Sequence, residues 1–176
     1  AGATMVHTLT ITDNEAAPTL IIVDTSVIEG SSAQPYVYNS TWAAVTAPVT
    51  FTYATYSGTA TAGADFAVIT VTGTIPVGGS YTYIYPPTLQ DSDYEAAETF
   101  TVTISGQSAG WTITDNTSLI TINDNDPIPT VSMAASTSLI SEGAGTAAVT
   151  VTLSGTSYQT IVVTLSASAG TAATPA

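Results

Sequence analysis

Glu98-Thr99-Phe100-Thr101-Val102-Thr103-Ile104-Ser105-Gly106 alternates a hydroxylated residue with a large apolar one and then stops at a Ser-Gly pair. A period of two sends Phe100, Val102 and Ile104 to one side of an extended chain and the threonines to the other. That is the pattern of a strand with one face on a core and one face in water, and β-branched Thr, Val and Ile fit it. Val49-Thr50-Phe51-Thr52-Tyr53 and Val149-Thr150-Val151-Thr152-Leu153 read the same way. The longest apolar run, Leu20-Ile21-Ile22-Val23, is strand-sized and far short of a membrane span. Turn residues follow at short intervals, at Ser57-Gly58, Gly78-Gly79 and Ser154-Gly155. No segment carries a helical period. The expectation is an all-β antiparallel sandwich built from hairpins.

Composition narrows the function. The chain has 176 residues, 44% hydrophobic and 7% charged, which describes a packed core rather than a disordered segment. All the charge is acidic: 13 Asp plus Glu, no Lys and no Arg, for a net charge of −13. Nucleic acid and anionic membrane are excluded as partners, since basic side chains hold both. Lys-based chemistry of any kind is excluded with them. Cys is absent, so no disulfide staples the fold. No basic segment precedes an apolar stretch at Ala1, and the sequence reads as a mature or excised piece.

An internal repeat organises the chain. Ile11-Thr12-Asp13-Asn14-Glu15 with Pro18 returns as Ile122-Asn123-Asp124-Asn125-Asp126 with Pro129, 111 positions later. Glu29-Gly30 returns as Glu142-Gly143, and Gly58-Thr59-Ala60 as Gly170-Thr171-Ala172. In this frame residues 1–15 are the last strand of a preceding repeat, 16–126 a complete repeat and 127–176 the opening strands of a following one. The expected partners are neighbouring repeats or copies of the chain itself, joined in tandem or by strand addition.

Three motifs stand in order within the complete repeat: Phe51 to Asp65-Phe66, then Asp91-Ser-Asp-Tyr-Glu95-Ala-Ala-Glu98-Thr-Phe100, then Thr121-Ile-Asn-Asp-Asn-Asp126. Together they resemble the Calx-β domain, known from sodium/calcium exchangers, an integrin tail and many long bacterial surface proteins. The resemblance implies an immunoglobulin-like antiparallel β-sandwich with Ca2+ bound among loops at one end. It implies Glu29, Asp65, Asp91, Glu95, Glu98, Asp124 and Asp126 as metal ligands, with a backbone carbonyl from Asp93. Gln90 stands where the family commonly has a first Asp, and Asn125 interrupts the closing acidic run, which implies fewer or weaker ions.

The acids support the same reading by number and placement. Besides those seven, Asp13, Glu15 and Glu142 are repeat equivalents, leaving only Asp24, Asp93 and Asp115. Calcium takes about 6–8 oxygen ligands. Carboxylates gathered at one pole with no cationic side chain repel one another by several kcal/mol in aggregate, roughly the scale of Coulomb's law at short range. A cation is the simplest compensation, against the alternative of a solvated acidic surface.

Other features carry weaker signals. Tyr81-Thr82-Tyr83-Ile84-Tyr85 puts three tyrosines on one outward strand face with Ile84 inward. That stripe reads as a contact surface for another repeat or subunit, a platform for surface glycans, or ordinary cross-strand packing. His7 has no Cys or second His for a zinc site and reads as a strand residue. Asn39-Ser40-Thr41 and Asn116-Thr117-Ser118 fit the N-glycosylation pattern. Asp91 and Glu95 could pair as in a glycosidase, but their motif suits a cation and no insertion forms a cleft, so the expectation is a protein that is not an enzyme. The leading expectation is a structural or adhesive, calcium-stiffened repeat at an extracellular or cell-surface location, able to assemble into a filament. The alternatives are a calcium-sensing regulatory module and a glycan-binding adhesin.

Overall fold

The computed structural model describes residues 17–136 and 146–168, with Gly2, Met5, residues 7–10 and Gly143. The alternating segments all become strands: β1 (Thr19–Ile22), β2 (Thr25–Ile28), β3 (Tyr36–Asn39), β4 (Val49–Ser57), β5 (Thr70–Ile75), β6 (Tyr81–Tyr83), β7 (Glu98–Ser105), β8 (Thr112–Asp115), β9 (Thr117–Asn123), β10 (Val131–Ala135) and β11 (Val149–Leu153). Among the described residues no helix is long and apolar enough to cross a membrane.

β1 to β9 form two facing sheets, in the orders β6-β3-β1-β8 and β2-β9-β7-β4-β5. The chain switches sheets at Val23-Asp24, so β1 and β2 belong to opposite layers. These two strands make the parallel pairings, β1 with β8 and β2 with β9, and the remaining ladders are antiparallel.

The period of two explains the core. Phe51 and Tyr53 of β4, Phe100, Val102 and Ile104 of β7, and Ile120 and Ile122 of β9 point inward to meet Leu20, Ile22 and Val37 from the other sheet. Ile84 is buried, as its place between exposed tyrosines implies. Each such side chain stabilises the fold by roughly 1.5–3 kcal/mol through burial. Ser105-Gly106 ends β7 as expected, with Gly106 at φ 60.

β10 and β11 form a separate two-stranded antiparallel sheet. Its register repeats that of β1 and β3: Leu20 faces Asn39 and Ile22 faces Val37, as Val131 faces Leu153 and Met133 faces Val151. Every residue of both strands is exposed. Asp13, Glu15, Glu142 and residues 170–172 lie outside the described residues, as does most of the segment 1–15; within it, residues 7–10 are exposed and carry no strand.

Candidate metal centre

One pole of the sandwich is built from strand ends. Because β2 and β9 run parallel with Ile28 opposite Asn123, the chain leaves both strands side by side, as Glu29 and as Asp124-Asn125-Asp126. Glu29 N donates to Asn123 O at 3.0 Å and secures the junction. Asp65 precedes Phe66, and Glu98 lies two residues before Phe100; those rings stack in the core with centroids 4.4 Å apart and planes at 5°. An acid from a loop and one from the start of β7 are thus anchored by one aromatic pair beneath them.

The carboxylates fall into two trios, Glu29 with Asp124 and Asp126, and Asp65 with Glu95 and Glu98. Within each trio one carboxylate oxygen from each residue lies within 4.8 Å of the other two. Glu29, Asp65, Glu95, Glu98 and Asp124 line one small cavity, so the trios adjoin. Asp91 joins neither trio. It is exposed at the rim, where its N–H donates to Glu29 Oε1 at 3.0 Å and its Oδ1 accepts from Asp93 N at 2.8 Å.

The loops are shaped by the acids they carry. Asp124 Oδ2 accepts from Glu95 N at 3.0 Å and its Oδ1 from Asp126 N at 2.9 Å. Asp65 Oδ2 accepts from Thr61 N at 2.5 Å. Gly30 follows Glu29 at φ 72, and a Cβ there would stand 2.6 Å from Gln90 Oε1. Both the backbone conformation and the close approach require glycine.

Electrostatics show what the pole lacks. Burial, then the charges of Asp65, Asp91, Glu29 and Asp124, pushes Glu95 up to about 7. Glu98 is also pushed up to about 7, by burial, a hydrogen bond with Asp65 and the charges of Asp65 and Glu95. Burial raises Glu29, helped by Asp91, Asp126 and Asp124 and opposed by the hydrogen bond from Asp91 N. Asp126 is raised by loss of water and by Asp124, Asp91 and Asp93. Glu29 Oε2 is buried with no hydrogen-bond partner among the described residues. An orphaned buried carboxylate oxygen calls for a partner, the donors are all oxygen, and the chain offers no Lys or Arg. Such a set fits calcium, a hard cation that takes carboxylates in flexible geometry.

All seven expected ligands therefore gather at this pole, six in the trios and Asp91 beside them. The leftover acids serve the backbone: Asp24 Oδ1 accepts from Leu119 N at 2.7 Å, and Asp115 Oδ1 from Thr117 N at 3.2 Å. Asp93 Oδ1 instead accepts from the Thr156 hydroxyl.

Two relationships were not expected from the sequence. Gln90 and Asn125, both departures from the family pattern, bond to each other. Thr156-Ser157-Tyr158 docks on the loop between β6 and β7, with Tyr94 N donating to Thr156 O (3.3 Å) and Tyr158 N to Tyr94 O (3.1 Å). Tyr158 lines a groove with Asp65, Asp91, Glu95 and Glu98. Its place beyond β11 gave no sequence signal for this contact.

Comparisons with known proteins agree with the geometry. The family model of the Calx-beta domain matches residues 13–126 and, a second time, 124–176. The search of curated proteins finds no match. Solved structures similar to the chain include the apo-form Calx CBD1 domain, at 20% identity and TM-score 0.55, covering 63% of this chain and 100% of that one. They also include the calcium binding domain CBD12 of CALX1.1, at 20% identity and TM-score 0.55 (65% and 49% covered), and CBD12 from CALX1.2, at 21% and 0.54 (61% and 46%). The chain spans about half the length of those two CBD12 chains. At such identity the structural likeness speaks for the fold, an immunoglobulin-like sandwich. With its model matched over most of the sequence, the chain belongs to the Calx-beta domain family.

Proposed function

We propose that the chain is a structural repeat of an extracellular or cell-surface protein, of bacterial or archaeal type, in which calcium at the carboxylate pole stiffens the joint to the following repeat. The observation that carries this reading is the double attachment of the loop Asp91–Glu95. On one side it supplies Asp91 and Glu95 to the metal centre, and on the other its Asp93 and Tyr94 bond to residues 156–158. Glu29, Asp124, Asp126, Asp65, Glu95 and Glu98 would hold the ion or ions, with Asp91 at the rim. Calcium supplies positive charge where the acids repel and so favours the closed arrangement of the loops. The absence of Lys and Arg, which trypsin-like proteases require, suits an exposed location. Adhesion or filament assembly then follows from stacking such repeats head to tail.

Thermal unfolding in millimolar calcium and in chelator tests the reading. A ligand at about 100 times its dissociation constant stabilises by ~2.7 kcal/mol, so a rise of several degrees is expected. Distances between labels at Thr59 and Gln159 should narrow in distribution with calcium; unchanged melting and an unchanged distribution would sink the proposal. A second reading, a calcium-sensing regulatory module, is supported by the likeness to CBD12 of CALX1.1, itself described as a calcium binding domain. It predicts a change of mean distance on calcium binding rather than a narrowing.

A further inference from the structure

Five aromatic rings meet on the outer face of the β6-β3-β1-β8 sheet. Tyr36 and Tyr38 come from β3, Tyr81 and Tyr83 from β6, and Trp42 from the turn after β3. Tyr36 lies 5.7–6.3 Å from each of the other four rings, and Trp42 stacks on Tyr38 at 4.6 Å and 22°. The rings pack against one another across strands, yet Trp42 is 53% exposed and Tyr81 and Tyr83 45% each. Cross-strand packing thus leaves about half of each of these three rings facing water.

Trp42 is held there by the backbone. Its φ is 55, the only positive value at a non-glycine among the described residues, a conformation adopted only where the surroundings impose it. The surroundings are Asn39, fully buried beneath the turn. Asn39 Nδ2 donates to Ala43 O (2.8 Å) and Ser80 O (3.2 Å), its Oδ1 accepts from Thr41 N and Oγ1, and its backbone O accepts from Trp42 N (3.0 Å). A core position that takes Asn for this purpose pins the indole over the tyrosines.

Charge decides what the face fits. β1, β3, β6 and residues 40–48 contain no acidic residue, and Asp115, the one acid of this sheet, sits on β8 at the edge opposite the rings, so the aromatic part of the face is uncharged on a chain of net charge −13 with no Lys or Arg. A basic partner is drawn to the carboxylates instead. A neutral polysaccharide does not meet that competition. The apolar C–H faces of its sugar rings match flat Tyr and Trp surfaces, while its hydroxyls bond to phenol oxygens, the amphipathic contact these side chains favour.

We propose that this face is a binding platform for neutral polysaccharide, with Tyr36 at its centre and Trp42, stacked on Tyr38, as its most exposed ring. It does not depend on calcium. The test is electrophoresis of the whole chain through native gels containing xylan, mannan, hydroxyethyl cellulose or mixed-linkage β-glucan, beside Trp42→Ala and Tyr83→Ala, with chelator present. The expected result is retardation of the parent in at least one gel and at least a tenfold weaker apparent affinity for both variants, whose melting matches the parent's. Should Trp42→Ala melt early, Tyr83→Ala decides alone. No retardation in any of the four gels, or equal retardation of parent and variants, overturns the proposal. So does a dimer in sedimentation that Tyr83→Ala abolishes, which would assign the face to a second copy.

Discussion

Gln90 and Asn125, 35 residues apart, exchange two side-chain hydrogen bonds: Gln90 Nε2 donates to Asn125 Oδ1 at 3.1 Å, and Asn125 Nδ2 to Gln90 Oε1 at 3.0 Å. Asn125 Nδ2 also reaches Glu29 O at 3.3 Å. Neutral amides here knit three loops together where acids would need an ion between them. In Gln90→Asp/Asn125→Asp, two carboxylates about 4 Å apart repel by ~4 kcal/mol at an effective dielectric of 20. Without calcium the double variant is expected to melt several degrees lower. Titration calorimetry should show it binding more calcium than the parent; equal stoichiometry would count against the pair as the reason for fewer ions.

Glu29→Gln separates the two states of the metal centre. Its amide keeps the oxygen that accepts from Asp91 N and gives the orphaned buried position a donor facing Asp124 and Asp126. In chelator the variant should melt at or above the parent, because a raised buried carboxylate has been neutralised. In calcium it should melt below it, by a few degrees. Loss in both conditions would mean that Glu29 is structural only.

Glu95 and Glu98, pushed up to about 7, set the pH response of the calcium-free chain. Their folded values lie above the ordinary 4.5, so the folded state binds more protons between those limits. Stability in chelator should therefore fall as pH rises from about 5 to about 8. Calcium should reverse the slope, since deprotonated carboxylates bind it better. Melting curves at pH 5, 6, 7 and 8 with and without calcium check both signs.

Phe66→Leu removes the stacking on Phe100 while keeping the core apolar. Aromatic pairs contribute ~0.5–1.5 kcal/mol beyond burial, so a modest loss of stability is expected. The sharper expectation is selective: weaker calcium binding at the Asp65, Glu95 and Glu98 trio, with the Glu29 trio retained. Two-step calorimetric titration distinguishes the steps.

The fold was legible because its signal is local. Thr99 to Ile104 alternates within one strand, and the buried set Phe100, Val102 and Ile104 follows directly. The acids of the metal centre were legible through the order and spacing of three motifs and the lack of any basic residue to pair them, although nothing in Asp65 alone says that its loop lies beside Glu98. What stayed hidden depends on contacts between distant segments. Asn39-Ser40-Thr41 reads as a glycan acceptor, yet Asn39 is buried with its amide committed, so the motif serves a turn; Asn116, of the other match, is exposed. The tyrosine stripe was visible, but Trp42 was not, because its place over Tyr38 comes from a left-handed backbone that no pattern announces.

The parallel pairing of β2 with β9 bears on how the domain would respond to a pull on its two ends. A pull on the chain ahead of β2 and beyond β9 drags these strands past each other in opposite directions. The ladder from Thr25–Ile120 to Ile28–Asn123 is then strained as a whole and does not open bond by bond from one end. Glu29 and Asp124 leave the same end of that ladder, so an ion shared between them would act as a rivet through the overlap. Resistance to a pull along the chain, a property distinct from equilibrium stability, is what a parallel pairing of terminal strands favours.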